Sequence, residues 1–155
     1  MQAKVLTVSD GVMAGTRNDK SGAALVRRLE EAGYTVVDRR VVADGIDDVS
    51  VALITMAHDF AGLIVTTGGT GFGPRDLTPE GTARVIEREA PGLMAAMFAA
   101  NPDKGRLSRA AAGARDRAII LNTPGSTAGA VECLEAVLDV LPHALALLAG
   151  EPTEH

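Results

Sequence analysis

The sequence predicts an α/β domain whose parallel sheet is covered by helices on both faces. Three observations lead there. Four short apolar runs are separated by amphipathic stretches of helical period, and strands alternating with helices build βαβ units. Two of those runs, Leu63–Thr67 and Ala118–Leu121, are continuous and rich in β-branched residues, the pattern of strands buried on both faces. The length of 155 residues suits one domain with a sizeable core.

The elements follow in order. Val5–Val8 is the first strand. Ser21–Ala32 is a helix with Leu25, Val26 and Leu29 on one side and Arg27, Arg28, Glu30 and Glu31 opposite, closed by Gly33 in a left-handed conformation. Val36–Val42 is a strand interrupted by Asp38, Arg39 and Arg40, which places it nearer an edge. Val49–Phe60 is a second amphipathic helix, and Leu63–Thr67 the third strand. Thr78-Pro79-Glu80 opens a helix, with Thr78 as N-cap and Pro79 at the first helical position. Pro91 starts another, running to Ala100. Asn101–Gly105 reads as a surface loop and Arg106–Ala114 as a short Ala-rich helix. After Ala118–Leu121, helices Thr127–Asp139 and Leu141–Ala149 meet at Pro142. Residues 1–150 form the expected domain, and Glu151–His155 the expected disordered tail.

Composition narrows the function. The net charge of −5 argues against non-specific nucleic-acid binding, which needs a basic face. The aromatic residues are only Tyr34, Phe60, Phe72 and Phe98, few platforms for stacking bases. The single cysteine, Cys133, excludes an intrachain disulfide and a Cys-rich metal site, and in its apolar helix it reads as buried and inert. No signal peptide and no apolar run of transmembrane length is recognised, so the expectation is a cytoplasmic protein with no membrane partner.

The chemistry-bearing residues fall after the strands. Ser9-Asp10-Gly11 follows the first, Ala43-Asp44-Gly45 the second, Gly68 to Asp76 the third, and Asn122-Thr123-Pro124-Gly125-Ser126 the fourth. In a parallel sheet these loops leave from one edge, where open α/β sheets bind ligands. Four of the six residues Gly68–Gly73 are glycine. Such a loop lets backbone N–H groups approach and cradle an oxyanion, and the helix that follows favours an anion at its N-terminus. Glycines alone would mark only a tight turn; Arg75 and Asp76 beside them point to a site. Pro124-Gly125-Ser126 offers a second anion cradle, or Ser126 only caps its helix. Asp44 and Asp76, following different strands, suit Mg²⁺ on a nucleotide triphosphate; Asp44 by itself is equally a turn-former. Pro74 excludes a dinucleotide fingerprint, and the absence of Gly-Lys-Ser/Thr excludes a Walker-type P-loop.

Several segments occur together in order: Thr7-Val8-Ser9-Asp10, Asp19-Lys20-Ser21-Gly22, Thr67-Gly68-Gly69-Thr70-Gly71, Pro74-Arg75-Asp76-Leu77-Thr78-Pro79-Glu80 and Pro124-Gly125-Ser126. With Pro91-Gly92-Leu93 and Leu107-Ser108-Arg109-Ala110, they resemble the MogA/MoaB family of molybdenum cofactor biosynthesis over about Lys4 to Leu148. The resemblance implies a three-layer α/β/α sandwich, a homotrimer, and transfer of AMP from MgATP to the terminal phosphate of molybdopterin with release of pyrophosphate. It also implies a molybdenum-insertase partner. It assigns Asp44 and Asp76 to catalysis and Mg²⁺, and Ser9, Asp10, Gly68, Gly69, Thr70, Gly71, Arg75, Pro124, Gly125 and Ser126 to substrate binding. The sequence departs from the family pattern at Gly11, where Ser is frequent, at Ala43-Asp44-Gly45, at Thr123 and at Thr127. The alternative is a paralogue that binds molybdopterin, or serves as a scaffold, without adenylylating it. Gly69→Val is expected to impair ligand binding more than stability.

Overall fold

The computed structural model describes residues 1–152. In chain order its strands are β1 (Gln2–Val8), β2 (Thr35–Val42), β3 (Gly62–Thr67), β4 (Arg88–Glu89), β5 (Ala112–Arg115) and β6 (Ala118–Thr123). Its helices are α1 (Asp10–Met13), α2 (Lys20–Glu31), α3 (Ile46–Ala57), α4 (Thr78–Ala83), α5 (Pro91–Ala99), α6 (Pro102–Gly105), α7 (Thr127–Glu135) and α8 (Leu141–Leu148). They form one domain around a six-stranded sheet of order β2-β1-β3-β6-β5-β4. The four strands expected from the sequence, β1, β2, β3 and β6, are the parallel ones.

Alternation of side chains across each strand divides the core in two. Val5, Leu63, Val65, Ile119 and Leu121 face α2, α5, α7 and α8, packing with Leu25, Leu29, Met97, Leu134 and Leu141. Leu6, Val8, Ile64 and Ile120 face the opposite way, toward Val49, Leu53, Met56 and Val85. Every residue of β3 and β6 is buried, which is why both runs read as unbroken apolar sequence. β2 lies at the sheet's edge, where Arg39 and Arg40 are exposed. Gly33 ends the α2 turn at φ +86°, as its position required.

Three segments differ from the sequence expectation. Arg106–Ala114 is not a helix: its last residues enter β5, which runs antiparallel to β6. Alanine's helix propensity is overridden there by pairing along β6, and β4 extends the same edge. Asn101–Gly105 is not an open loop but contains the one-turn helix α6, whose N-cap Asn101 side chain accepts from the Lys104 N–H. Thr78 begins α4 rather than capping it; Leu77 precedes it, and the Thr78 hydroxyl donates instead to the Gly68 carbonyl at 2.9 Å. The tail expected over 151–155 lies largely outside the described residues.

Register places the loops. Val8 pairs with Val42, Thr7 with Thr67, and Thr67 with Thr123, so the C-terminal ends of β1, β2, β3 and β6 form one level edge. From β1 the chain crosses to one side of the sheet order, and β3 and β6 lie on the other. The switch between β1 and β3 opens a crevice at that edge. Among the described residues no helix is long and apolar enough to cross a membrane.

Candidate functional site

A row of threonines at the end of the strands prepares this edge. They are buried, so each hydroxyl needs a partner. Thr7 donates to Asp19 Oδ2 at 2.9 Å, Thr67 to the Pro124 carbonyl at 2.8 Å, and Thr123 to the Thr66 carbonyl at 2.8 Å. These bonds tie the departing loops to the sheet. Together the loops enclose an open cleft of about 780 Å³.

The Gly-rich loop forms one wall. Gly68 and Gly69 adopt φ of +100° and +66°, a left-handed conformation that disfavours other residues. A Cβ on Gly68 would strike the Val8 carbonyl, and one on Gly69 would strike the Thr78 hydroxyl and lie 3.0 Å from Asp44 Oδ1. Gly69→Val therefore strains the backbone and displaces the buried Thr78 hydrogen bond, so a stability loss is expected beside the loss of ligand binding. At Gly71 and Gly73 the neighbour is different: a Cβ would lie 2.9 and 2.8 Å from Asp76 Oδ2. The loop is wrapped around the Asp76 carboxylate, and the Gly73 N–H donates to that oxygen at 2.9 Å.

Asp44 and Asp76 both line the cleft. Asp44 Oδ2 accepts the Asp10 N–H at 2.8 Å, and Asp10 Oδ1 accepts the Asp44 N–H at 3.1 Å. One oxygen of each cleft carboxylate is thus engaged by backbone, and the other makes no hydrogen bond among the described residues. Those residues contain no cluster of three or more His, Cys, Asp or Glu able to hold a metal. Two carboxylates from opposite loops match a divalent cation completed by phosphate oxygens and water, and not a cage built by protein alone.

Ser9, Gly68, Gly69, Thr70, Gly71, Pro124, Gly125 and Ser126 line the same cleft. The Ser9 hydroxyl caps α1 by accepting from Val12 at 3.2 Å. Ser126 is the N-cap residue of α7 but makes no side-chain cap bond, so its hydroxyl is not committed to the helix. Asp10 and Arg75 are placed differently from the rest. They are not on the cleft wall but grip each other: Arg75 Nε and Nη2 donate to Asp10 at 2.5 and 3.0 Å, and Nη2 also donates to the Asp44 carbonyl at 2.7 Å. This fork holds the Asp10 carboxyl below the usual carboxylate range. The pair clasps the first, second and Gly-rich loops together behind Asp44.

Six further residues line the cleft without having been given a site role from sequence: Arg17 and Lys104, and Lys20, Ser21, Leu107 and Ser108, which were noted only within family-like motifs. Asp19 caps α2 and pairs with Arg39 at 2.7 Å, and among the described residues Arg17, Lys20 and Lys104 form no ion pair. The motif Asp19-Lys20-Ser21-Gly22 was a usable signal, because a cation beside a helix N-terminus favours an anion. Lys104 carried none, lying outside the strand-end loops, and Ser108 was marked only by the motif Leu107-Ser108-Arg109-Ala110.

Comparison with known proteins follows this geometry. Residues 4–143 match the family model described as probable molybdopterin binding domain. A molybdopterin adenylyltransferase of Helicobacter pylori is 37% identical over 152 residues, covering 94% of this chain and 86% of that protein. Gephyrin of Dictyostelium discoideum is 36% identical over 161 residues, covering 96% of this chain but 22% of gephyrin. The crystal structure of the molybdopterin biosynthesis enzyme MoaB from Thermus thermophilus superposes with a TM-score of 0.88 at 41% identity, covering 99% of both chains.

Proposed function

This chain belongs to the molybdopterin-binding domain family of molybdenum cofactor biosynthesis, and from that premise we propose that it is the adenylyltransferase, joining AMP from MgATP to molybdopterin. The observation that carries the reading is the convergence of Asp44 and Asp76 with two anion cradles, Gly68–Gly71 and Pro124–Ser126, on one cleft of about 780 Å³. That volume accommodates a nucleotide beside a pterin phosphate.

An oxygen of the terminal phosphate of molybdopterin attacks the α-phosphorus of ATP. The new P–O bond forms as the bond to the β-phosphate oxygen breaks, and pyrophosphate leaves. The protein's contribution is position and charge. The N–H groups of Gly69 to Gly71 and the Ser126 hydroxyl offer donors to phosphate oxygens, while that of Gly68 is taken by the Thr123 carbonyl. Arg17, Lys20 and Lys104 offset negative charge along the opposite wall. Asp44 and Asp76 would hold Mg²⁺, which supplies neutralisation of the triphosphate when bound. The Asp10–Arg75 clasp keeps Asp44 in place.

The test is incubation of the purified protein with molybdopterin and MgATP, with detection of adenylylated molybdopterin and pyrophosphate. Formation of both in equal amounts supports the reading. Binding of molybdopterin without either product overturns it in favour of the non-catalytic paralogue.

A further inference from the structure

The Gly-rich loop has little stiffness of its own. Of the six residues from Gly68, four are glycine, and each glycine must give up more backbone freedom than another residue to be ordered. Its internal fasteners are few: the Asp76 N–H to the Gly73 carbonyl at 3.0 Å, the Gly73 N–H to Asp76 Oδ2, and the Thr78 N–H to the Gly69 carbonyl at 3.0 Å. Arg75 ties the loop's end to Asp10 and the Asp44 carbonyl, and the backbone from Thr70 to Asp76 is otherwise held by one residue from a distant part of the chain.

That residue is Arg109. Its backbone N–H donates to the Thr70 carbonyl at 2.9 Å. Its Nε donates to the Gly71 carbonyl at 2.8 Å, and Nη2 to the Asp76 carbonyl at 2.5 Å. The guanidinium also lies 5.6 Å from the centroid of the Phe72 ring. Nη1 donates to Glu80 of α4, which balances the charge. Arg109 is absent from the lining of the cleft, so it touches the loop's back and not the ligand's space. We propose that Arg109, backed by Glu80, is a positioning residue: it fixes Thr70–Asp76 and thereby aims the Asp76 carboxylate into the cleft. Its neighbours Leu107 and Ser108 line the same cleft. A planar fork with five donors can meet several carbonyls at once; an ammonium cannot.

The activity readout rests on the adenylyl-transfer reading, so a second readout stands apart from it. Arg109→Lys keeps the charge and loses the fork. Hydrogen exchange of the Gly73 and Asp76 amides is expected to quicken at least about tenfold in it, because exchange follows the local opening free energy, while the Val65 and Ile120 amides of the sheet stay unchanged. In steady-state assays kcat is expected to fall about 100-fold, as for a misplaced catalytic group, with KM for ATP within about threefold. Glu80→Gln, which keeps Arg109 but removes its counter-charge, is expected to move both readouts the same way by a few-fold, and it decides the matter should the Arg109 variant not fold. Unchanged loop exchange in either folded variant overturns the proposal, as does a KM defect with kcat intact, which would make Arg109 a ligand contact. Absence of adenylylated product in the wild type defeats the functional reading alone, and the exchange result still decides the role of Arg109.

Discussion

Asn122→Ala tests how the ligand edge is braced. Asn122 is fully buried at the end of β6. Its Nδ2 donates to Thr66 Oγ1 at 3.0 Å and to Thr82 Oγ1 at 2.9 Å, and its Oδ1 accepts the Ala111 N–H at 3.0 Å. One side chain thereby joins β6, β3, α4 and the segment entering β5. Three hydrogen bonds at about 1 kcal/mol each give about 3 kcal/mol. The orphaned Ala111 N–H and the small void add roughly another 1 kcal/mol or more. The expected loss is thus about 4 kcal/mol, a fall in Tm of about 12 °C for a domain of this size. Urea unfolding with a single transition, and thermal melts by circular dichroism, measure it. A loss below about 1.5 kcal/mol would refute the reasoning, since it would mean that the threonines and Ala111 find other partners at little expense.

Other expectations follow from the site and core. Asp76→Asn should retain the fold yet lower adenylyl transfer by about two to three orders of magnitude; turnover within a few-fold of wild type would remove Asp76 from the mechanism. Burial raises the Cys133 thiol from 9.0 to about 11, so its thiolate fraction at pH 8 is cut roughly 100-fold, and a disulfide reagent should label it slowly in the native protein and rapidly in urea. The Arg109 hydrogen bond holds the Glu80 carboxyl below its usual 4.5. A depressed carboxylate stabilises the fold above its unfolded value and loses that effect as pH falls through the folded one. The Tm difference between wild type and Glu80→Gln should therefore be full at pH 7 and shrink below about pH 4.5; a difference that grows on acidification would reverse the sign of the argument. Light scattering should give three times the 16.0 kDa chain mass for the homotrimer, and a mass near one chain excludes it.

What the sequence made legible is what periodicity controls. β3 and β6 announced themselves because burial on both faces leaves Leu63–Val65 and Ala118–Leu121 as unbroken apolar runs, with polar residues only at their C-terminal ends. Loops following such strands could then be placed at one edge before any coordinates, which brought Asp44, Asp76, Gly68–Gly71 and Pro124–Ser126 together. β5 was not legible: Ala112-Gly113-Ala114-Arg115 has no strand signature, and only pairing along β6 makes it one. The place of Lys104, Leu107 and Ser108 at the cleft was not legible for the same reason, since it depends on long-range bonds such as Arg109 N–H to Thr70 O. Asp10 and Arg75 were recognisable as functional residue types, but residue type does not say whether a charge faces a ligand or another side chain. Most of the apolar side of α5 is absorbed by the fold, because Leu93, Met94 and Ala96 pack against the protein's own core and Met97 is buried within it.

Net charge is a coarser guide to a cleft than local pairing. A chain at −5 seems poorly suited to polyanions, yet the field at a cleft is set by which charges are already paired. Asp10 is cancelled by Arg75, Asp19 by Arg39 and Glu80 by Arg109. Each of these carboxylates adds to the formal count and contributes little at the ligand. Arg17, Lys20 and Lys104 keep their charge on the cleft wall, where low-dielectric surroundings focus it. Asp44 and Asp76 remain as the acidic counterpart, and a divalent cation would offset both. With three cations against two carboxylates the cleft wall is already positive, and a divalent cation held by Asp44 and Asp76 would raise that further and draw in the nucleotide. That makes a specific demand on binding: ATP affinity should rise steeply with Mg²⁺ in the wild type and far less in Asp44→Asn/Asp76→Asn, where the two acidic groups are gone. Calorimetric titration with and without Mg²⁺ measures this, and an equal Mg²⁺ dependence in both proteins would show that the carboxylates do not carry the cation.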